Sequence, residues 1–248
     1  MRFLLTIPAR NEESTIAEVI GEYMEEASRL GIQLSVQVVD DGSTDNTVEI
    51  IRNINVPVCH VENSSGLAEI FRKEMELALK GDADVFIHAD ADGQHSAKDL
   101  HLLINKLSEG FDLVLGSRMH GRPLGMPDIH YAANILLSEI VSILSGQRIS
   151  DSQTGYRAIR RRVAEFVRIS SSFTYTQEQI IRAARAGFKV CEVSITARPR
   201  RCGVSRLVRN PFHYLKHAFS DLEDLSRELS IPLNVVTKQT DWHKIPMR

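Results

Sequence analysis

The sequence is poor in several things, and each absence excludes a class. Nowhere do the roughly 18 to 20 consecutive apolar residues of a membrane span occur, and the first residues lack the shape of a secretory signal, so a soluble, cytoplasmic chain is expected. Cysteine is scarce. Cys59, Cys191 and Cys202 form neither a disulfide framework nor a zinc pattern, and Cys59 and Cys191 lie in apolar runs where a small buried thiol is the simplest reading. No G-x-G-x-x-G follows the first apolar run and no G-x-x-x-x-G-K-[ST] occurs anywhere, which removes the two common glycine cradles for nucleotide phosphates. Net charge is also nearly absent, at -2. With 43% hydrophobic and 25% charged residues over 248 positions, the composition is that of a globular domain with a sizeable core.

The small net charge conceals a division. Residues 1–100 carry 8 Lys and Arg against 19 Asp and Glu, whereas residues 101–248 carry 22 against 13. An acidic half that handles cations and a basic half that handles anions is one reading; two solvated faces is the plainer one. Nucleic acid is not expected, because the basic half lacks interleaved aromatics and any known binding module.

Strands and helices alternate through the first half. Residues 2–9 read as a strand, followed by a helix in which Ile16, Val19, Ile20, Tyr23, Ala27 and Leu30 recur at helical spacing before Gly31. Further strands are predicted in LSVQVVDD, PVCHVEN, DVFIHADAD and DLVLGSR, with helices near residues 66–80 and 96–107. Repeated β-α units with apolar strands imply an α/β fold with a mostly parallel central sheet covered on both faces. Ligands bind such sheets beyond the carboxyl ends of the strands. Those ends read Pro8-Ala9-Arg10, Asp40-Asp41-Gly42-Ser43, Asp90-Ala91-Asp92 and Gly116-Ser117-Arg118.

Asp90 and Asp92 pose a physical question. Two like charges at the lip of a buried strand repel each other unless a cation lies between them. Mg²⁺ or Mn²⁺ suits them, since these ions take one or two carboxylates together with phosphate oxygens and water. His95 invites a zinc reading, but no cysteine or second histidine is near it, so a place in the loop is expected instead.

The segments IPARNEE, VVDDGSTDNT, HADADGQH, GSR and DSQTGYRAIRR stand in the order and spacing of the family 2 glycosyltransferases. The chain most resembles the branch containing dolichol-phosphate mannose synthase and other polyprenyl-phosphate sugar transferases, over about residues 3–207. The resemblance implies a GT-A fold, a Rossmann-like nucleotide-binding half, a nucleoside-diphosphate sugar donor (GDP-mannose or UDP-glucose), a divalent metal and inversion at the anomeric carbon. Carried over by position, Pro8, Ala9, Arg10, Glu12, Asp41 and Asp90 would bind the donor, and Asp90, Asp92 and Gln94 would hold the metal. Gly93 departs from the apolar residue usual at its place. Asp92, Asp151 and Arg118 are candidates for catalysis. The RPRRCGVSRL segment resembles the family's R-x-x-G-x-S-[KR] run, so that Arg118, Arg157, Arg200 and Arg206 are candidates for an acceptor phosphate, whereas Arg182 and Arg185 are expected on a solvated helix face.

A phosphate monoester acceptor is already an anion at neutral pH and needs cations for positioning, whereas a sugar hydroxyl needs a general base. The resemblance implies a polyprenyl phosphate as acceptor, and a basic half that offers arginines without an obvious dedicated base agrees with it. The alternative is a soluble hydroxyl, for which Asp151 would be the base to test first. A D-x-D phosphatase is disfavoured, because its motif belongs on a first strand with Thr where Gln94 stands; a non-catalytic subunit with a transferase fold is the remaining rival. Residues 1–210 are expected to form the catalytic domain and 211–248 a helical tail. The tail's stripe of Phe212, Leu215, Phe219, Leu222, Leu225 and Leu229 faces a partly acidic side, which favours docking on the domain or a second subunit over lipid insertion. The chain either reaches lipid peripherally, or through a membrane subunit, or uses a water-soluble acceptor.

Overall fold

The structure is a computed structural model and describes residues 1–119, 121, 126–199 and 211–231. In chain order the elements are β1 (Arg2–Ala9), α1 (Ile16–Leu30), β2 (Gln33–Asp40), α2 (Thr47–Asn53), β3 (Val58–His60), α3 (Leu67–Lys80) and β4 (Val85–His88). There follow α4 (Leu100–Ser108), entered by a 3-10 turn at Ala97–Asp99, β5 (Leu113–Ser117), α5 (Asp128–Ser145) and β6 (Arg157–Arg160). The described residues end with α6 (Arg161–Phe166), α7 (Tyr175–Arg185), β7 (Val190–Ser194) and α8 (Pro211–Glu228).

One seven-stranded sheet runs in the order β3-β2-β1-β4-β6-β5-β7. All pairs are parallel except those of β6, which runs antiparallel to both β4 and β5. Alternation along each strand divides the side chains between two apolar layers. Val85, Ile87, Val114 and Ala158 pack with α1, α2 and α4; Phe86, Leu113, Leu115 and Ile159 pack with α3, α5 and α7. The helix of the tail, α8, buries Ala218, Leu222 and Leu225 in that second layer, while Phe219 stays 40% exposed. The described residues contain no helix long and apolar enough to cross a membrane. Arg200, Arg206, Cys202, the side chain of Phe212 and residues 232–248 of the expected tail lie outside what the structure describes.

Glycine ends α1 as its sequence predicts: Gly31 adopts φ 65 and its N–H reaches back to Ser28 O. Arginine closes other helices. Arg161 donates to Leu79 O and Gly81 O at the end of α3 and to Ala83 O, and Arg160 donates to Leu107 O at the end of α4. Arg182 and Arg185 do not form the solvated face expected of them. Arg182 pairs with Glu178 and Glu228, stitching α7 to α8, and Arg185 caps α5 through Leu144 O. Charge complements the carboxyl end of a helix dipole, and these carbonyls have no partner within their helices.

Arg161→Ala should therefore lower unfolding stability by about 1 to 3 kcal/mol, the cost of orphaned carbonyl groups, without changing nucleotide binding. Equilibrium urea unfolding beside a nucleotide titration checks this. A loss of binding at unchanged stability would contradict the capping role.

Candidate active site

Because β6 is reversed, its entry loop arrives at the same edge of the sheet where the parallel strands leave. Arg157, the first residue of β6, pairs with His88 on β4 and Leu115 on β5. The loop 151–156 therefore lies over the carboxyl ends of β4 and β5, beside Asp90 and Arg118.

Beyond β4, Asp90 is half-buried and Asp92 is buried. Gln94 N–H donates to Asp92 Oδ1 at 2.9 Å across a turn in which Gly93 takes φ 72, so this carboxylate is fixed by its own loop. The departure at Gly93 thus has a use: the turn needs a positive φ. His95 is buried and stacks on Tyr156, with centroids 5.1 Å apart at 15°, and its Nε2 stands 3.8 Å from Asp90 Oδ2. Burial pulls its pKa down despite the nearby acids, so the ring is neutral at pH 7. Among the described residues no group of three or more His, Cys, Asp or Glu is arranged to hold a metal. What the protein offers is a pair of carboxylates, the donor set of an ion whose remaining ligands come from phosphate and water.

At the ends of β1 and β2, Asp41 accepts Ser64 Oγ at 2.8 Å and Ser65 N–H at 2.7 Å, which ties β2 to the 61–65 loop. Arg10 reaches the same place, hydrogen-bonded to Ser64 Oγ and 3.7 Å from Asp41. Glu12 N–H donates to Thr47 Oγ1, and the Glu12 carboxylate accepts Thr15 Oγ1 at 3.0 Å. Pro8 and Ala9 are the last residues of β1, so these five of the six expected donor residues converge on one corner of the sheet edge, while the sixth, Asp90, stands beyond β4.

Two expectations are corrected. Asp151 does not fit the role of a general base. It is fully buried and accepts Arg118 N–H at 3.0 Å, Arg118 Nε at 2.8 Å, Arg118 Nη2 at 2.9 Å and Asn134 Nδ2 at 2.9 Å. Burial alone would raise its pKa; the charge and hydrogen bonds of Arg118 outweigh burial and hold it below the usual carboxylate range. Such a group neither reaches a hydroxyl nor wants its proton. Arg157 likewise does not fit an acceptor contact. Its side chain is fully buried, and its guanidinium is spent on Thr154 O, Thr176 O and Gln179 Oε1. Burial without a carboxylate partner pulls it down to about 10.

Arg118 itself, one-fifth exposed, is the cation that the structure holds at the lip. Glu192 on β7 supports its anchor by accepting Ser150 N–H, Ser150 Oγ and Asp151 N–H. Sequence reasoning passed over Glu192, although a lone acid among the eight bases of residues 182–210 was a signal. After β7 the chain turns towards the loop that follows β4. Arg198 N–H donates to Gln94 O at 2.9 Å, His95 bridges Ala197, and Arg198 pairs with Glu22 at 2.9 Å. Arg198, where the arginine-rich stretch of the sequence begins, thus lies against the loop that carries Asp92.

The model of glycosyl transferase family 2 matches residues 5–168. The chain belongs to that family. Similar proteins include a dolichyl-phosphate hexose transferase of Haloferax volcanii, 30% identical with 82% of this chain and 84% of that one covered. A polyprenol monophosphomannose synthase of Mycolicibacterium smegmatis is 29% identical, with 83% and 81% covered. Among solved structures, mannosyl-3-phosphoglycerate synthase from Rubrobacter xylanophilus superposes with a TM-score of 0.70 at 16% identity, over 93% of this chain and 75% of that one. Glucosyl-3-phosphoglycerate synthase from Mycobacterium tuberculosis, in complex with Mn²⁺, UDP and phosphoglyceric acid, gives 0.67 at 18% identity, over 93% and 79%. At such identities the structures speak for the fold, which is GT-A, and the chain resembles the dolichol-phosphate mannose synthase branch in sequence.

The clamp on Asp151 sets a pH expectation. A carboxyl with a depressed folded pKa stabilises the protein above its unfolded value, near 3.9, and that contribution is lost only as pH falls through the lower folded value. Between about pH 6 and 9 Asp151 stays ionised, so kcat/KM should show no limb that belongs to it. Asp151→Asn should destabilise the fold by about 3 kcal/mol, because it strands the Arg118 charge. If pH-rate profiles revealed a limb in this range that disappeared in Asp151→Asn at unchanged stability, the base assignment would return.

Proposed function

We propose that the chain transfers a hexose, with inversion, from a nucleoside-diphosphate sugar (GDP-mannose or UDP-glucose) to a polyprenyl phosphate of the dolichyl type. The observation that carries the acceptor half is the Arg118–Asp151 pair: the site presents a cation whose neighbouring carboxylate is saturated, which suits an anionic acceptor better than a hydroxyl awaiting deprotonation. The named activities of the two polyprenyl-phosphate relatives support the same choice.

The residues present fit a divalent ion. Asp90 and Asp92 would hold Mg²⁺ or Mn²⁺, with Gln94 fixing the Asp92 carboxylate, and the space in front of Gly155 is occupied by the Asp90 carboxylate rather than by a side chain. Bound there, the ion would neutralise charge on the leaving diphosphate. The protein's own part is positional. Asp41, Arg10, Glu12, Pro8 and Ala9 line the corner that takes the nucleotide. Arg118 meets phosphate at the lip, and Arg200 and Arg206 are the further acceptor-phosphate residues of this reading. Such fixed charges act on the transition state without reorganising as the reaction proceeds. The phosphate acceptor attacks the anomeric carbon as the anion it already is, so no base is required. The reaction takes place at the cytoplasmic face of a membrane, where the lipid phosphate is met from the aqueous side.

Thermal-shift titrations with GDP-, UDP- and dTDP-sugars, with and without Mn²⁺, identify the donor. Asp92→Asn should abolish the metal-dependent part of that binding and leave the fold intact. Labelled donor offered to a short-chain polyprenyl phosphate beside a panel of soluble hydroxyl acceptors tests the rest. Arg118→Ala, Arg200→Ala and Arg206→Ala should each reduce transfer about ten- to a hundred-fold, the worth of one charged hydrogen bond, while sparing donor binding. Transfer only to a soluble hydroxyl would sink the lipid reading.

A further inference from the structure

The Asp90 carboxylate stands on bare backbone. A Cβ placed on Gly155 would lie 2.9 Å from each Asp90 carboxylate oxygen and 3.2 Å from its Cγ, closer than a methyl carbon can approach. Backbone conformation does not demand glycine here, because Gly155 is absent from the residues with positive φ. What a side chain at 155 would push out of place is the carboxylate itself.

The seat is held from three strands. His88 Nδ1 on β4 donates to Gly155 O at 2.7 Å, Arg157 on β6 donates to Thr154 O, and Thr154 Oγ1 donates to Gly116 O on β5 at 2.7 Å. Behind His88, Glu74 of α3 lies 3.2 Å from Nε2 and accepts Thr6 Oγ1 at 2.7 Å. His88, Glu74, Thr6, Thr154 and Arg157 are all buried, so a shift of the 154–155 turn would strand polar groups away from water.

We propose that Gly155 is a positioning residue for the metal carboxylate: it keeps clear the space in which Asp90 must stand to share a divalent cation with Asp92. The proposal rests on the metal reading given above. It also ties the two sides of the site together, because Asp151, which anchors Arg118, begins the loop that Gly155 ends. A change at the seat of the metal ligand is transmitted along a short fixed segment to the cation at the lip.

The test is a double-mutant cycle on the full chain: wild type, Gly155→Ala, Asp90→Ala and the double variant. In metal-free buffer with EDTA, Gly155→Ala should lower the melting temperature by several degrees when Asp90 is present. In the Asp90→Ala background it should do far less, since the added methyl then enters vacated space. Mn²⁺ uptake in the presence of UDP or GDP, followed by electron paramagnetic resonance of the free ion, should weaken about tenfold or more in Gly155→Ala. Metal-independent nucleotide binding should not move. Equal melting shifts in both backgrounds, or Mn²⁺ affinity within twofold of wild type, would overturn the assignment. A wild type that takes up no Mn²⁺ with either nucleotide would remove the metal reading and with it the purpose of the seat. The melting cycle would still report whether the carboxylate stands on Gly155.

Discussion

A single reversed strand organises the active edge. In an all-parallel sheet, every loop at the carboxyl edge leaves a strand, and the side chains there come from strand exits alone. Here β6 is inserted between β4 and β5 in the opposite sense, so the residues that lead into it reach that same edge. Asp151 meets Arg118, Gly155 meets Asp90, and Tyr156 slides under His95, all within six residues of chain. Gly116 N–H donating to Tyr156 O at 2.8 Å fixes the height of the loop above β5, and Gly116 lacks a side chain because a Cβ would lie 3.0 Å from the Tyr156 ring.

Buried charge is handled by the same loop in three different ways. Arg118 and Asp151 form a two-pronged pair whose hydrogen bonds offset the desolvation of both ions. His88 is raised above its ordinary pKa: burial opposes its charge, but Glu74 opposite its ring more than compensates. Arg157 has no carboxylate beside it and keeps its charge on backbone carbonyls and an amide, with the lowered pKa that such an arrangement brings. All three sit beneath or beside the lip. The positive charges of Arg157 and Arg118 only partly offset the negative charges of Asp90, Asp92 and Asp151, so the acids keep an excess that a further cation would neutralise.

Much of this was legible in sequence, for identifiable reasons. Parallel strands buried on both faces are continuous apolar runs, and RFLLTIPA and DLVLGS declare themselves by hydropathy alone. The carboxyl-end motifs were legible because polar residues after an apolar run mark a strand exit. β6 was not. Its four residues, RAIR, carry arginine at each end, and its partners lie some forty to seventy positions away. The role of Asp151 was hidden for a different reason: a carboxylate that accepts a proton and one that anchors a guanidinium are the same letter, and only the four donors around it distinguish them. The basic excess of the second half was misleading in the same way. Arg160, Arg161 and Arg185 serve helix ends, and Arg162 pairs with Asp112, so counting charge overstated what is free for ligands.

On the proposed reading, the charges at the lip also fix an order of events. Asp90 and Asp92 face the same edge as Arg118, and an acceptor phosphate approaching that edge meets acids as well as the cation. Like charges at close range disfavour binding, whereas a divalent ion shared with the donor diphosphate reverses the local balance. Donor and metal therefore enter first, and the acceptor phosphate is attracted only to a site already loaded. Ala197 and Arg198 meet His95 and Gln94, the residues that follow Asp90 and Asp92 in the chain. Held by Arg118, Asp151 does not serve as the base that a competing water would need to become a nucleophile.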